Sequence, residues 1–127
     1  MTIQEYLQRN KLITDGSFGT YYAGKYQTDE IPEAANTEHP DRVSNIHHSY
    51  IDAGARLIRT NTFASNTVLL SSDWASVEQN IRAAIQLAKD AVKSKDIFIA
   101  GDIGPIPDTS SPNTETDLLA EEYYQIA

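Results

Sequence analysis

The order of patterns along the sequence predicts an α/β fold built on a parallel sheet. Three short segments, residues 11–14, 55–63 and 96–101, have the apolar and β-branched content of strands, and a helical pattern follows each of them. The strands begin roughly 40 to 45 residues apart, which leaves room for the helical crossover that parallel neighbours require. Because such sheets bind ligands at the carboxyl ends of their strands, we expect three candidate ligand loops along that edge.

Composition limits the class of protein before any motif is considered. The 127 residues are 40% hydrophobic, which suits one domain with a modest core. Ten basic and 18 acidic residues give a net charge of −8, which disfavours a nucleic-acid partner. No apolar run is long enough to cross a membrane and the N-terminus lacks the pattern of a signal peptide, so we expect a cytoplasmic protein without a membrane partner.

The first third of the chain is the least regular. Apolar residues at helical spacing between Ile3 and Arg9 predict a short lid helix, and residues 11–14 then form the first strand. Residues 21–36 contain three tyrosines, one glycine and one proline without a sustained period. We therefore predict a loop or a frayed helical turn there, with the tyrosines used for packing.

Two long helices are much clearer. Pro40 suits the first position of a helix, apolar residues then recur along one face, and Gly54 supplies a stop. The second helix follows a capping Asp73, begins at Trp74 and keeps its apolar period to Val92.

The last third contains the third strand. Residues 96–101 form a near-continuous apolar run, which predicts a strand buried on both faces. A loop rich in proline, serine, threonine and asparagine then spans residues 105–116, and a third helix is predicted over residues 118–127.

The turn after the first strand is the strongest candidate for a binding site. Asp15 can accept hydrogen bonds from an ammonium group, while the amides of Gly16 and its neighbours can face a carboxylate, which together complement an amino-acid main chain. An ordinary turn is the competing interpretation, because Asp-Gly is also a common turn dipeptide. The two glycine turns, at residues 16–19 and 101–104, lack the Gly-x-Gly-x-x-Gly pattern of a dinucleotide site.

The sequence offers no metal site. It contains no cysteine, which excludes a thiolate nucleophile and any cysteine-ligated metal in this chain. His47 and His48 are adjacent on a predicted helix and point about 100° apart, and His39 precedes a proline. We expect these histidines to be structural, and we predict no metal ligand and no catalytic residue in the chain.

Four motifs, taken together and in order, resemble the homocysteine S-methyltransferase family. They are DGSFGT at residues 15–20, HPDxVxxIHxxYxxAGA at 39–55, TNTF at 60–63 and AGDIGP at 100–105, and the resemblance runs from about Leu12 to the end. The motifs look closest to the branch of cobalamin-dependent methionine synthases and of bifunctional homocysteine methyltransferase/methylenetetrahydrofolate reductase proteins. Members of the family are (β/α)8 TIM barrels that hold homocysteine as a zinc thiolate and methylate its sulfur.

The resemblance implies where the substrate binds. Asp15 and Gly16 match positions that contact the amino and carboxylate groups of homocysteine, and the loops after the second and third strands form pocket walls. The substrate-binding residues expected on this basis are Asp15, Gly16, Ser17, Phe18, Thr60, Asn61, Thr62, Phe63 and Asp102. Asp102 departs from the small or uncharged residue of the family pattern, and it either adds a second acid beside Asp15 or faces solvent.

The resemblance also implies what this chain does not supply. The family binds zinc through cysteines on later strands, so zinc is expected in a full-length member, with methylfolate or methylcobalamin as a candidate methyl donor. We therefore expect residues 1–127 to be the N-terminal portion of a barrel, about three βα units truncated before the later strands, and inactive alone. Strands at 12–15, 57–61 and 97–101 are expected to lie adjacent in that order, with both long helices on one side.

Two alternatives to an enzyme remain at this stage. One is a small α/β module that binds a metabolite without catalysis. The other is a structural piece that acts by pairing with the missing barrel strands or with another copy of itself.

Overall fold

The computed structural model describes residues 1–107 and 115–127 and has an α/β architecture. Its elements in chain order are α1 (Ile3–Leu7), α2 (Gly19–Tyr26), a 3₁₀ helix (Pro32–Ala34), α3 (Ala35–Glu38), α4 (Pro40–Asp52), β1 (Leu57–Arg59), α5 (Trp74–Val92), β2 (Phe98–Ala100) and α6 (Glu115–Ile126). None of the helices in the described ranges is both long and apolar enough to cross a membrane.

The sheet has the predicted order, with shorter strands than the sequence suggested. Strands β1 and β2 are parallel, and Ile58 lies opposite Ile99. The first predicted strand is reduced to one parallel bridge between Thr14 and Leu57 on the other side of β1. The backbone amide of Asp15 donates to the carbonyl of Leu57 at 2.9 Å, so this bridge places the turn at residue 15 beside the end of β1.

Both long helices pack on the same face of β1, as predicted. Ile58 of β1 is fully buried in an apolar cluster. Ile51 of α4 belongs to the same cluster. The other helix, α5, contributes Ala88, Ala91 and Val92 to the same cluster. The caps also match the sequence, since Pro40 occupies the first position of α4 and the Asp73 side chain accepts from the Ser76 amide at 2.9 Å.

The prediction of a loop or a frayed helical turn over residues 21–36 was wrong for most of the segment, although residues 27–31 lie outside the helices. Helix α2 occupies the start of this segment, and the 3₁₀ helix and α3 occupy its end. Tyr22 is fully buried against Val43 and Ile46 of α4, and Arg42 lies over the ring of Tyr26 at 4.8 Å. The segment is helical because it packs on another helix, and such tertiary contacts leave no period in a short sequence.

The prediction that residues 96–101 are buried on both faces was also wrong. Ile99 of β2 is 36% exposed, and Phe98 and Ala100 are half-buried. Within the described parts of the chain β2 pairs only with β1, so its second edge has no neighbouring strand. An apolar run predicts burial in a complete sheet, and here one flank of the sheet is open.

The two ends of the chain pack onto this frame. The ring of Tyr6 in α1 meets that of Phe98 edge to face, with ring centroids 5.7 Å apart, so α1 packs at the start of β2. Helix α6 begins at Glu115, three residues before the predicted start at Leu118. Most of the loop predicted over residues 105–116 falls at residues 108–114, outside the described ranges.

Candidate functional site

The carboxyl ends of the strands open into a cavity of about 690 Å³. This volume lies within the range of small-molecule sites in proteins, roughly 300 to 1,000 Å³. All nine residues that the sequence predicted as substrate-binding line it: Asp15, Gly16, Ser17, Phe18, Thr60, Asn61, Thr62, Phe63 and Asp102. Three loops that are distant in sequence therefore share one cavity. Two charged residues that the sequence analysis did not select, Glu33 and Arg59, also line it.

The Asp15 carboxylate is held by Arg59 at the end of β1. One carboxylate oxygen accepts from the Arg59 backbone amide at 2.9 Å, and the other accepts from the guanidinium Nε at 3.1 Å. The Asp15 side chain is 2% exposed, whereas that of Arg59 is 44% exposed. Arg59 also donates to the carbonyl of Gly16 at 2.9 Å, so one arginine fixes both residues of the turn. The positive charge of the pair is therefore the more accessible one.

Tyr50 of α4 contacts the same turn through its hydroxyl group. Its hydroxyl donates to the carbonyl of Ser17 at 2.5 Å, and burial raises the pKa of Tyr50. A β-carbon added at Gly16 would lie 3.1 Å from that hydroxyl, so a glycine allows the close approach. The Ser17 hydroxyl in turn hydrogen-bonds the hydroxyl of Thr20 at the start of α2. These contacts fix the backbone that the sequence predicted would face a substrate.

A closed circuit of hydrogen bonds joins the loops after β1 and β2. The Asp102 amide donates to the Thr60 hydroxyl at 3.2 Å, and the hydroxyls of Thr60 and Thr62 are 2.8 Å apart. The Thr62 hydroxyl donates to the Asp102 carbonyl at 2.6 Å. Because each threonine has one proton to donate, Thr60 donates to Thr62 in this circuit. The predicted pair of polar loops is thus one rigid wall of the cavity.

Phe63 and Gly104 fit closely in the same wall. The Gly104 amide donates to the carbonyl of Phe63 at 3.1 Å, and a β-carbon on Gly104 would lie 2.3 Å from that oxygen. Only glycine fits at this position without moving the backbone of the other loop. Phe63 itself is 52% exposed, so its ring forms part of the cavity mouth.

Three buried asparagines join the 3₁₀ helix to this wall. Asn36 donates to the Asn61 carbonyl at 2.8 Å, and Asn61 donates to the side chain of Asn36 at 3.0 Å and to the carbonyl of Pro32 at 2.9 Å. Asn80 of α5 donates to the carbonyl of Glu33 at 2.8 Å. The backbone of residues 32–33 is therefore held on two sides by side chains from other elements.

Glu33 is a buried acid in the cavity wall. It is 6% exposed, and its Oε1 accepts from the Ala64 amide at 3.1 Å. Its Oε2 is buried and has no hydrogen-bond partner among the described residues. Burial raises the pKa of Glu33, and the nearby charge of Asp102 adds to this. The sequence carries no signal for this residue, because the segment around it has no regular period and Glu33 belongs to none of the four motifs.

Arg59 could have been found from the sequence. A charged residue at the end of an otherwise apolar strand, next to the polar Thr60-Asn61-Thr62 loop, is typical of a side chain that leaves the core at a site. Its partner could not be found in this way, because Asp15 lies 44 residues earlier in the chain.

His47 lies in the core of the protein and is not among the residues that line the cavity. His47 is fully buried beside the ring of Phe18, at 5.6 Å, and burial lowers its pKa to about 4. Across the described ranges no three potential ligands among histidine, aspartate and glutamate come together as a metal site. The chain does not fit the family's zinc, because it also lacks cysteine, and we assign no reaction step to a metal held here.

Comparison with known proteins identifies the family. Residues 12–127 match the family model described as homocysteine S-methyltransferase. Over 99 residues the chain is 33% identical to the S-methylmethionine–homocysteine S-methyltransferase BHMT2 of Pongo abelii, a match that covers 72% of this chain and 25% of that protein. It is 29% identical over 120 residues to the betaine–homocysteine S-methyltransferase 1 of Bos taurus, covering 84% of this chain and 28% of that protein.

A solved structure shares the fold. The crystal structure of the homocysteine methyltransferase MmuM from Escherichia coli, in a metallated form, superposes with a TM-score of 0.75 at 15% identity. The match covers 98% of this chain and 52% of that chain, and the chain spans 25% to 28% of the two sequence relatives above. With the family model matching nearly the whole chain and the motif loops gathered around one cavity, the chain belongs to the homocysteine S-methyltransferase family.

Proposed function

We propose that this chain forms the first part of a homocysteine S-methyltransferase and supplies one side of its homocysteine pocket. The reaction is transfer of a methyl group to the homocysteine thiol, which gives methionine. The observation that carries the proposal is that all nine predicted substrate-binding residues line one cavity of about 690 Å³ in a chain of this family. We further propose that the parallel strands are the start of a (β/α)8 barrel, which later strands complete.

The turn at Asp15 provides groups suited to an amino-acid main chain. In this proposal Asp15 and Gly16 contact the ammonium and carboxylate of homocysteine, as the family resemblance implies. The half-exposed guanidinium of Arg59 lies at the same turn and adds a positive charge beside the position of the substrate carboxylate. The walls formed by residues 60–63 and by Asp102 then enclose the substrate on the other side.

Thiol activation and donor choice belong to parts of the enzyme other than these 127 residues. A thiol is mostly protonated near neutral pH, and zinc coordination would convert it to the nucleophilic thiolate. The zinc expected from the resemblance therefore needs ligands from elsewhere in the protein. Methylfolate or methylcobalamin stays our predicted donor, and the betaine and S-methylmethionine named for the relatives are the donors to compare with them.

The open edge of β2 implies a partner for this chain. Ile99 is 36% exposed there and one side of the strand is unpaired within the described ranges. We propose that further barrel strands cover this edge and that the isolated chain self-associates through it. A net charge of −8 keeps nucleic acid out of the proposed partners, and the protein is proposed to act in the cytoplasm.

The test is an activity assay with two forms of the protein. The complete natural protein that carries this chain is incubated with zinc, homocysteine and each donor in turn, and methionine is measured. We expect methionine with one donor class from the complete protein and none from the 127-residue chain. Homocysteine binding without methionine from any donor would favour a binding module, and methionine from the 127-residue chain would show that the active unit is smaller than proposed.

A further inference from the structure

We propose that Glu33 is a substrate-contacting residue whose carboxylate accepts a hydrogen bond from the ammonium group of the bound amino acid. This inference rests on the proposed function and assigns a specificity role to a residue outside the family motifs described above. The nine predicted substrate-binding residues include two acids, Asp15 and Asp102, and Glu33 is a third acid that lines the same cavity.

The first argument is an incomplete hydrogen-bond shell. Oε1 of Glu33 accepts from the Ala64 amide at 3.1 Å, whereas Oε2 is buried and unpartnered among the described residues. A buried carboxylate oxygen without a donor is costly, and such groups in folded proteins are normally satisfied by protein, water or ligand. Because Glu33 lines the cavity, a ligand bound there is the candidate to supply the missing donor.

The second argument is that hydrogen bonds hold the backbone of Glu33 and of the residue before it in place. Asn80 donates to its carbonyl at 2.8 Å, and Asn61 donates to the preceding carbonyl of Pro32 at 2.9 Å. Both asparagines are buried and belong to other elements, α5 and the loop after β1. A carboxylate held by its own backbone in this way is preorganised, since binding a ligand does not require it to be ordered first.

The third argument is the sign of the local charge. Arg59, which lines the same cavity, already donates to both carboxylate oxygens of Asp15 and to the carbonyl of Gly16. Burial and the charge of Asp102 both raise the pKa of Glu33. A bound ammonium group would offset both effects by placing a positive donor between two acids. In the part of the chain that the structure describes, no group of three or more histidine, aspartate or glutamate side chains could hold a metal ion at these acids.

Asp15 and Glu33 therefore differ in how many of their carboxylate oxygens already accept a hydrogen bond within the protein. Both oxygens of the Asp15 carboxylate already accept a hydrogen bond from Arg59, whereas one oxygen of Glu33 accepts none. An ammonium group has three protons to donate and can be shared by several acceptors. Glu33 therefore adds an acceptor oxygen that has no donor among the described residues, beside the Asp15 carboxylate.

The test uses the complete natural protein and two ligands that differ only in the amine. These are homocysteine and 4-sulfanylbutanoate, which keeps the thiol and the carboxylate. Glu33→Gln is nearly isosteric and still offers an oxygen to the Ala64 amide, but it replaces the other oxygen by a donor. Glu38→Gln removes the same charge from an exposed residue of α3 outside the cavity and is the matched control.

Calorimetric titration gives the readout. We expect Glu33→Gln to weaken homocysteine binding about 10- to 150-fold, the loss typical of a hydrogen bond to a charged group. Binding of 4-sulfanylbutanoate should change less than about threefold, because that ligand has no ammonium group to lose. The control variant should bind both ligands as the natural protein does.

Other outcomes separate this inference from the proposed function. Equal weakening for both ligands would assign Glu33 a purely structural role, and unchanged homocysteine binding would remove it from the site. If the natural protein does not bind homocysteine at all, the proposed function fails first. If Glu33→Gln does not fold, a structure of the natural protein with homocysteine decides: an ammonium nitrogen within about 3.2 Å of Oε2 supports the inference and a longer separation overturns it.

Discussion

The cavity wall and the helix-packed core each contain a buried titratable group with unpartnered polar atoms. In the wall the group is Glu33, whose Oε2 lacks a partner among the described residues. In the core the group is His47, whose two ring nitrogens have no hydrogen-bond partner among the described residues. Both residues are more than nine-tenths buried. Burial raises the pKa of Glu33 and lowers that of His47, which favours the neutral form of each side chain.

The two regions differ in whether the residue with unpartnered atoms borders a cavity. Glu33 is one of the residues that line the cavity. His47 packs beside Phe18 and is absent from the residues that line that cavity. An incomplete hydrogen-bond shell therefore indicates a binding role only where the atom borders a cavity, and elsewhere it is a cost of the fold.

The largest expected effect is the pH dependence that His47 gives to folding. Its folded pKa of about 4 lies below the ordinary 6.5, so the unfolded chain binds the proton more readily between these values. Stability is then fully present above pH 6.5 and falls by about 3 kcal/mol as the pH drops towards 4. The nearby charge of Asp15 reduces this loss, and that of His48 increases it.

Urea unfolding of the natural protein at several pH values measures this loss. His47→Leu should remove most of the pH-dependent part, since leucine does not titrate, whereas His48→Leu should keep the steep fall. An equal pH dependence in His47→Leu and the natural protein would show that other groups cause the acid sensitivity.

Asp15 tests the wall at its most strongly bonded acid. In Asp15→Asn one oxygen can still accept from the Arg59 amide, but the new amide nitrogen would meet the guanidinium as donor against donor. We expect the free energy of unfolding to fall by about 1.5 kcal/mol, which is the low end for a hydrogen bond to a charged group. The low end applies because the Arg59 side chain is 44% exposed. Homocysteine binding should weaken as well.

The contacts of Asp15 predict that Asp15→Asn lowers both stability and homocysteine binding, because the carboxylate bonds Arg59 within the fold and faces the proposed substrate site. Asp52→Asn, at an exposed position on α4, is the control. Denaturation and titration of both variants would contradict the contact-based prediction if stability were unchanged for Asp15→Asn.

Gly104 tests how closely the wall is packed. In Gly104→Ala the new methyl group would lie 2.3 Å from the Phe63 carbonyl, so a loop must move, at a cost of about 1 to 3 kcal/mol. Gly101→Ala is the matched control, since a β-carbon there meets nothing within 4 Å. Thermal unfolding of the two variants should separate them clearly. Equal stability would mean that the loop after β2 is free to shift away from Phe63.

The smallest expected effect on folding is a gain. The folded pKa of Glu33 is raised, so its stabilising effect is present in acid and is lost as the pH rises through that pKa. Glu33→Gln should therefore be somewhat more stable than the natural protein at pH 7, with the difference disappearing in acid. Denaturation at both pH values measures this, and a variant that is less stable at pH 7 would mean that the carboxylate is needed by the fold rather than by a ligand.

The sequence by itself determined the parts that depend on local patterns. Helices α4 and α5 were predicted from Pro40, from the Asp73 cap and from apolar periods, because capping and amphipathicity act within a few residues of each other. The order of the strands followed from their alternation with helices. The nine candidate residues were found because they follow strands or belong to motifs, and the fold places them at one cavity.

Only the tertiary structure decided what depends on distant partners. Tyr22 of α2 and Ala35 of α3 are buried against α4, which holds both short helices. Ile99 is partly exposed because β2 pairs with β1 alone among the described residues. Asp15 meets Arg59 across 44 residues, and Glu33 is fixed by Asn80 across 47. Burial and pairing over such separations come from three-dimensional packing, which local sequence patterns do not encode.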